Sequence, residues 1–84
     1  AKAVRRDAHK MHAFVRFRRI ETENGPRYVS WFEPEHHIVE AEAGFFVRRF
    51  ANMRWTIVTP RRSVQWDGQE LHFGPGGRRA DVPP

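Results

Sequence analysis

Apolar and polar side chains alternate along residues 13–20. On an extended chain, Ala13, Val15 and Phe17 fall to one side and Phe14, Arg16 and Arg18 to the other. The alternation predicts a first strand with one face toward a core and one cationic face carrying a ring. Upstream, Val4, Ala8 and Met11 recur at helical spacing, so a short helix is expected over the first dozen residues. Glu23-Asn24-Gly25-Pro26 reads as a turn, because Asn-Gly supplies positive φ and Pro blocks continuation. Residues 27–32, rich in aromatic and β-branched side chains, return as a second strand and close an antiparallel hairpin.

The period then changes from two to about 3.6. Val39, Ala43, Phe46, Val47 and Phe50 make one apolar stripe, with Ile38 and Phe45 beside it. Glu33-Pro34-Glu35 reads as the start of this helix, Arg48 and Arg49 as its last turn and Asn52 as its stop. Residues 54–59 alternate again, with Trp55 and Ile57 on one side and Arg54 and Thr56 on the other. After a turn at Thr59-Pro60-Arg61-Arg62, residues 63–66 and 69–73 flank Asp67-Gly68, a strong hairpin signal. The expected fold class is therefore α+β. It comprises an antiparallel sheet of about five strands, two hairpins plus one strand, with one long helix and a short N-terminal helix on one face.

Composition narrows the class. The 84 residues fit one domain with its core between residues 4 and 73, and seven Phe and three Trp help so short a chain to build a core. The start at Ala1 and the Gly74-Pro75-Gly76-Gly77-Arg78-Arg79 ending read as cut points in a longer polypeptide, with 74–84 a flexible tail. Fifteen Lys+Arg against ten Asp+Glu give a net charge of +5. All but Lys2 and Lys10 of these cations are arginine, the side chain that forks onto phosphates and stacks on rings. The absence of cysteine excludes disulfides and thiolate zinc sites. No apolar run of membrane-spanning length and no signal pattern occurs, so a cytoplasmic protein is expected.

The candidate chemistry follows from these patterns. Arg16 and Arg18 on the first strand, Arg54 on the third, and Arg61 and Arg62 in the turn would hold a phosphate backbone if their strands neighbour one another. Phe14 or Tyr28 would then stack unpaired bases. The competing reading is a solvated face laced with pairs to Glu21, Glu33 or Glu70. Trp31, Trp55 and Trp66 each sit in a strand with apolar neighbours two residues away and read first as packing residues. A metal reading rests on His36, His37 and Glu40, spaced i,i+4 and i,i+3, with a third ligand needed from His9, His12 or His72. The simpler reading is a helix start at which His36 bonds a nearby carboxylate or backbone group. Ser30 and Ser63 lack a nucleophile-elbow context, and no phosphate-binding glycine loop occurs, so neither catalysis nor a cofactor is called for.

Longer blocks carry a resemblance. His9-Lys10-Met11 followed by Phe14-Val15-Arg16-Phe17-Arg18 is one, and residues 31–40, 45–50 and 53–60 are others, with Trp66-Asp67-Gly68 and Phe73-Gly74-Pro75-Gly76 completing the set. Together they resemble a bacterial domain of unknown function found in DNA-repair and DNA-metabolism proteins. In that family the domain is often joined to a uracil-DNA glycosylase-like module of the UdgX type or occurs beside a radical-SAM protein. The resemblance implies a DNA-repair accessory role and supplies no catalytic or binding residues. The resulting expectation is a non-catalytic domain that binds nucleic acid, with single-stranded or distorted DNA favoured. The alternative is a protein-interaction module that positions the glycosylase-like or radical-SAM partner, with an apolar docking patch around Phe45 or Trp66.

Overall fold

Five strands form one sheet whose spatial order is their order in the chain. A computed structural model describes residues 2–34, 36 and 38–82. Helix α1 (Lys2–Phe14) precedes the hairpin of β1 (Arg18–Thr22) and β2 (Gly25–Trp31). Helix α2 (Val39–Arg49) leads to β3 (Trp55–Val58), β4 (Arg62–Trp66) and β5 (Leu71–Pro75), and a 3-10 turn follows at Arg79–Asp81. The α+β class is as expected, and the sheet is mostly antiparallel.

One pairing departs from the expectation of an all-antiparallel sheet: β2 and β3 run parallel, with Tyr28 opposite Trp55 and Trp31 opposite Val58. The connection through α2 is the cause. A parallel partner needs a crossover of a dozen residues or more, and the stretch between Trp31 and Trp55 supplies one. The two helices also differ from the expected long and short pair, since α1 has 13 residues and α2 has 11. The polar N-terminal segment runs on through Phe14 because its Lys, Arg, Ala and Met side chains are good helix formers, and because it docks. Met11 is fully buried, Val15 is 7% exposed, and the Val15 N–H donates to the Met11 carbonyl at 3.1 Å. The first strand is correspondingly shorter than expected and begins at Arg18.

Helix α2 starts at Val39 rather than at Glu33-Pro34-Glu35. The His36 backbone N–H donates to Asp7 Oδ2 of α1 at 2.7 Å, which ties this segment to the other helix before α2 begins. Asp7 is itself buried, and His36 Nδ1 lies 3.1 Å from the same oxygen. A second link joins the helices where His12 Nε2 meets Glu42 Oε1 at 2.5 Å and its ring stacks on Phe45 at 3.7 Å.

Strand register sorts the core. Trp55 lies opposite Tyr28 and Trp66, and Ile57 opposite Ser30 and Val64, so these six side chains share one face of the sheet. Met11 and Val15, together with Val39, Ala43 and Phe46 of α2, join Trp55, Ile57 and Val64 in the buried cluster. Phe46 packs edge-on to Trp55 at 6.1 Å, and Phe17 closes the cluster against Phe50 at 5.2 Å. Burying each such large side chain contributes about 1.5–3 kcal/mol. The other face, with Arg18, Arg27, Val29, Thr56 and Gln65, has no residue in that cluster.

Candidate nucleic-acid interface

The stretch between α1 and β1 keeps strand alternation although it is not yet paired. Val15 and Phe17 turn into the core, whereas Arg16 and Arg18 are exposed. Arg16 is fixed by its neighbours, its Nη1 donating to the Ala13 carbonyl at 2.6 Å and to the Val15 carbonyl at 3.2 Å. It thereby caps the end of α1, where carbonyls lack helical partners and a cation suits the dipole. Arg18 lies opposite Val29, and Arg27, opposite Ile20, is its diagonal neighbour on the same face.

Beside them is a groove of about 610 Å³ lined by Arg16, Arg18, Val29, Trp31, Arg79 and Val82, among others. Trp31, half-buried, supplies its large ring. The C-terminal segment supplies the far wall. Gly77 donates its N–H to the Thr59 carbonyl at 2.9 Å, and residues 79–81 then form the 3-10 turn. Glycine is required on this path, because a Cβ at Gly76 would collide with the Pro60 carbonyl and one at Gly77 would come within 2.8 Å of Val58 Cγ1. The Gly74–Gly77 run, read in sequence as tail, therefore begins as the end of β5 and continues as a close crossing that carries Arg79 to the groove.

The five arginines singled out in the sequence do not converge. Arg16 and Arg18 share the groove. Arg54 lies about 13 Å along the strand from the Trp31–Val58 row, and its Nη2 donates to the Asn24 carbonyl at 2.7 Å and the Pro26 carbonyl at 3.1 Å. It staples the β1–β2 turn to β3. Arg62 is on the helix side of β4, its Nε 3.2 Å from Glu40 Oε1 and its guanidinium over the Phe73 ring at 5.5 Å. Arg61 and Arg62 line a second cavity of about 210 Å³ with His36, Glu40 and Pro60 where α2 begins. Of the two rings, Tyr28 faces the core, and Phe14 ends α1 with 66% of its surface exposed.

Of the metal candidates, His36 is engaged by Asp7 and Glu40 by Arg62, while His37 lies outside the described residues. Among the described residues, ligand atoms of Asp67, Glu70 and His72 lie within 4.8 Å of one another at the exposed β4–β5 hairpin. Their contacts are those of the turn itself. Asp67 Oδ1 accepts the N–H groups of Glu70 and Gln69 at 2.7 and 2.8 Å, and Oδ2 lies 2.9 Å from His72 Nε2. These bonds, the Glu70 N–H and then His72 foremost, lower the Asp67 pKa from 3.8 to about 2.

A family model described as a domain of unknown function, DUF4130, matches residues 1–70. The chain belongs to the DUF4130 family. No curated protein and no solved structure matches it. The matched span of the DUF4130 domain includes α1, Arg16, Arg18 and Trp31, while Arg79 lies beyond it. No helix among the described residues is long and apolar enough to cross a membrane.

The sequence pattern reads Trp31 first as a packing residue and as a stacking platform only if exposed, and it does not single out Arg27 or Arg79. Trp31 was legible by parity, since it falls two residues after Val29 on the face opposite Tyr28 and Ser30. Arg27 follows by the same rule. Arg79 was not legible, because its position depends on the crossing at Gly76 and Gly77.

Proposed function

We propose that this DUF4130 domain is a non-catalytic nucleic-acid-binding module of a DNA-repair or DNA-metabolism protein, and that single-stranded or distorted DNA is its ligand. The observation that carries the reading is the groove in which Arg16, Arg18 and Arg79 surround Trp31. Arginines fork onto successive phosphates, and a tryptophan ring accepts any unstacked base, so the combination suits a strand whose bases are free. Its volume of about 610 Å³ leaves room for nucleotides rather than for a lone phosphate.

Fluorescence anisotropy with labelled single strands over a salt series tests the reading. Arg18→Ala/Arg79→Ala is the informative pair, because Arg16 also caps α1. Binding should weaken as salt rises and fall at least about tenfold in the double variant, with Arg61→Ala/Arg62→Ala close to wild type. Salt-indifferent binding, or an unchanged double variant, sinks it.

One feature favours the second reading, a docking module for a uracil-DNA glycosylase-like or radical-SAM partner. Strand β5 is a sheet edge and carries Phe73, 39% exposed. The patch expected around Phe45 or Trp66 offers less, since Phe45 is half-buried under His12 and the Trp66 Nε1–H donates to the Ala51 carbonyl at 3.1 Å. A pull-down with the partner module, lost on Phe73→Asp, separates this reading from the first.

A further inference from the structure

Positive charge without a partner is concentrated on one element. Among the described residues, Lys2, Arg5, Arg6 and Lys10 of α1 are exposed and make no ion pair or hydrogen bond. Four acids are engaged elsewhere: Asp7 with His36, Glu42 with His12, Glu40 with Arg62 and Glu21 with Arg19. Lys2, Arg5, Arg6 and His9 follow one another at helical neighbour spacing, with Lys10 alongside, while Asp7, Met11 and Val15 hold the opposite side of the helix in the fold.

This cationic face has no Phe, Tyr or Trp until the last residue of α1, the exposed Phe14. Two residues later comes Arg16, on the wall of the groove that contains Trp31. Phe14 therefore stands between two differently equipped surfaces. Cations with no Phe, Tyr or Trp beside them suit a backbone whose bases are stacked away inside a duplex, whereas cations around a large ring suit a strand whose bases are free. The 13 residues of α1 make a rigid rod. At about 1.5 Å per residue it is about 20 Å long, the rise of about six base pairs at about 3.4 Å each.

From this arrangement we propose that the DUF4130 domain recognises the boundary between double- and single-stranded nucleic acid. Helix α1 lies along the phosphates of the duplex, Phe14 stacks on the last base pair, and the groove takes the unpaired strand. The inference rests on the groove reading above and adds the duplex arm and the wedge.

Anisotropy with three labelled ligands tests it: a single strand, a blunt duplex, and a duplex with a single-stranded overhang. Wild type should bind the overhang ligand about tenfold tighter than either of the others. Arg5→Gln/Arg6→Gln/Lys10→Gln keeps good helix formers at exposed positions, so its thermal melt should match wild type. It should bring overhang affinity down to the single-strand level and flatten the log–log salt slope on that ligand by about two to three. Phe14→Ala should lower overhang affinity about tenfold and leave the single strand unchanged. Single-strand binding without an overhang preference, or a triple variant with unchanged affinity and slope, overturns the junction proposal alone. Absence of single-strand binding in wild type overturns the groove reading as well.

Discussion

Trp55 is fully buried at the middle of the sheet, yet its indole Nε1 finds no hydrogen-bond partner among the described residues. Two opposed contributions therefore meet in one side chain: large apolar burial and an unmet polar group that costs about 1–3 kcal/mol. Removing the ring should cost about 3–5 kcal/mol in Trp55→Ala, whereas Trp55→Phe, which deletes the N–H and keeps one ring, should cost clearly less, its smaller cavity being partly offset by the loss of the unmet N–H. Urea titrations of the two variants would show the gap, and equal losses would contradict it. Asp7 presents the reverse case, a buried carboxylate whose partners are both on His36. Asp7→Ala should cost about 1–3 kcal/mol by stranding the His36 N–H. Asp7→Asn should recover part of that loss, since an amide oxygen still accepts. The sequence has His36 bonding a nearby carboxylate or backbone group, but Asp7 is 29 residues away and nothing local marks it as that partner.

At the scale of elements, the β4–β5 hairpin is the part most fully written in the sequence. Asp67-Gly68 predicted it, Gly68 adopts φ +99°, and the Asp67 carboxylate closes the turn. That carboxyl is held below its ordinary 3.8, at about 2. Its support for the native hairpin is complete above pH 3.8 and is lost as pH falls through about 2. The Asp67 carboxyl carbon should thus titrate near 2 by NMR. Asp67→Asn should be less stable than wild type at neutral pH, with the difference shrinking across that acid window. A midpoint near 3.8 would remove the basis of the prediction. Strand period similarly exposed Trp55 and Ile57 as inward, because a half-buried sheet leaves no freedom in parity. Ahead of the sheet it found Val15 and Phe17 but not Ala13, which belongs to α1 and is exposed. Element ends were harder to read. Helix α1 runs through Phe14, where good helix formers and the burial of Met11 and Val15 act together, and α2 waits until Val39, after the His36 N–H has been taken by Asp7.

For the whole molecule, the net charge of +5 foretold an electrostatic surface but not where it would lie. Position depended on which cations found partners in the fold, and this left Arg62 and Arg54 engaged but Arg18 and the face of α1 open. A sheet laid down in chain order has a further consequence, for folding kinetics. The β1–β2, β3–β4 and β4–β5 pairings join consecutive strands across short turns, and only β2–β3 must wait for an intervening helix. Loop closure is therefore slow at one step alone, which places this chain among the faster mixed α/β folders. In a stopped-flow chevron, Phe46→Leu on α2 should slow refolding by most of its equilibrium effect, and Leu71→Ala on β5 should chiefly speed unfolding. During synthesis the β1–β2 hairpin and α2 emerge before β3, so the exposed edge of β2 stays open only until the Trp55 strand arrives to cover it.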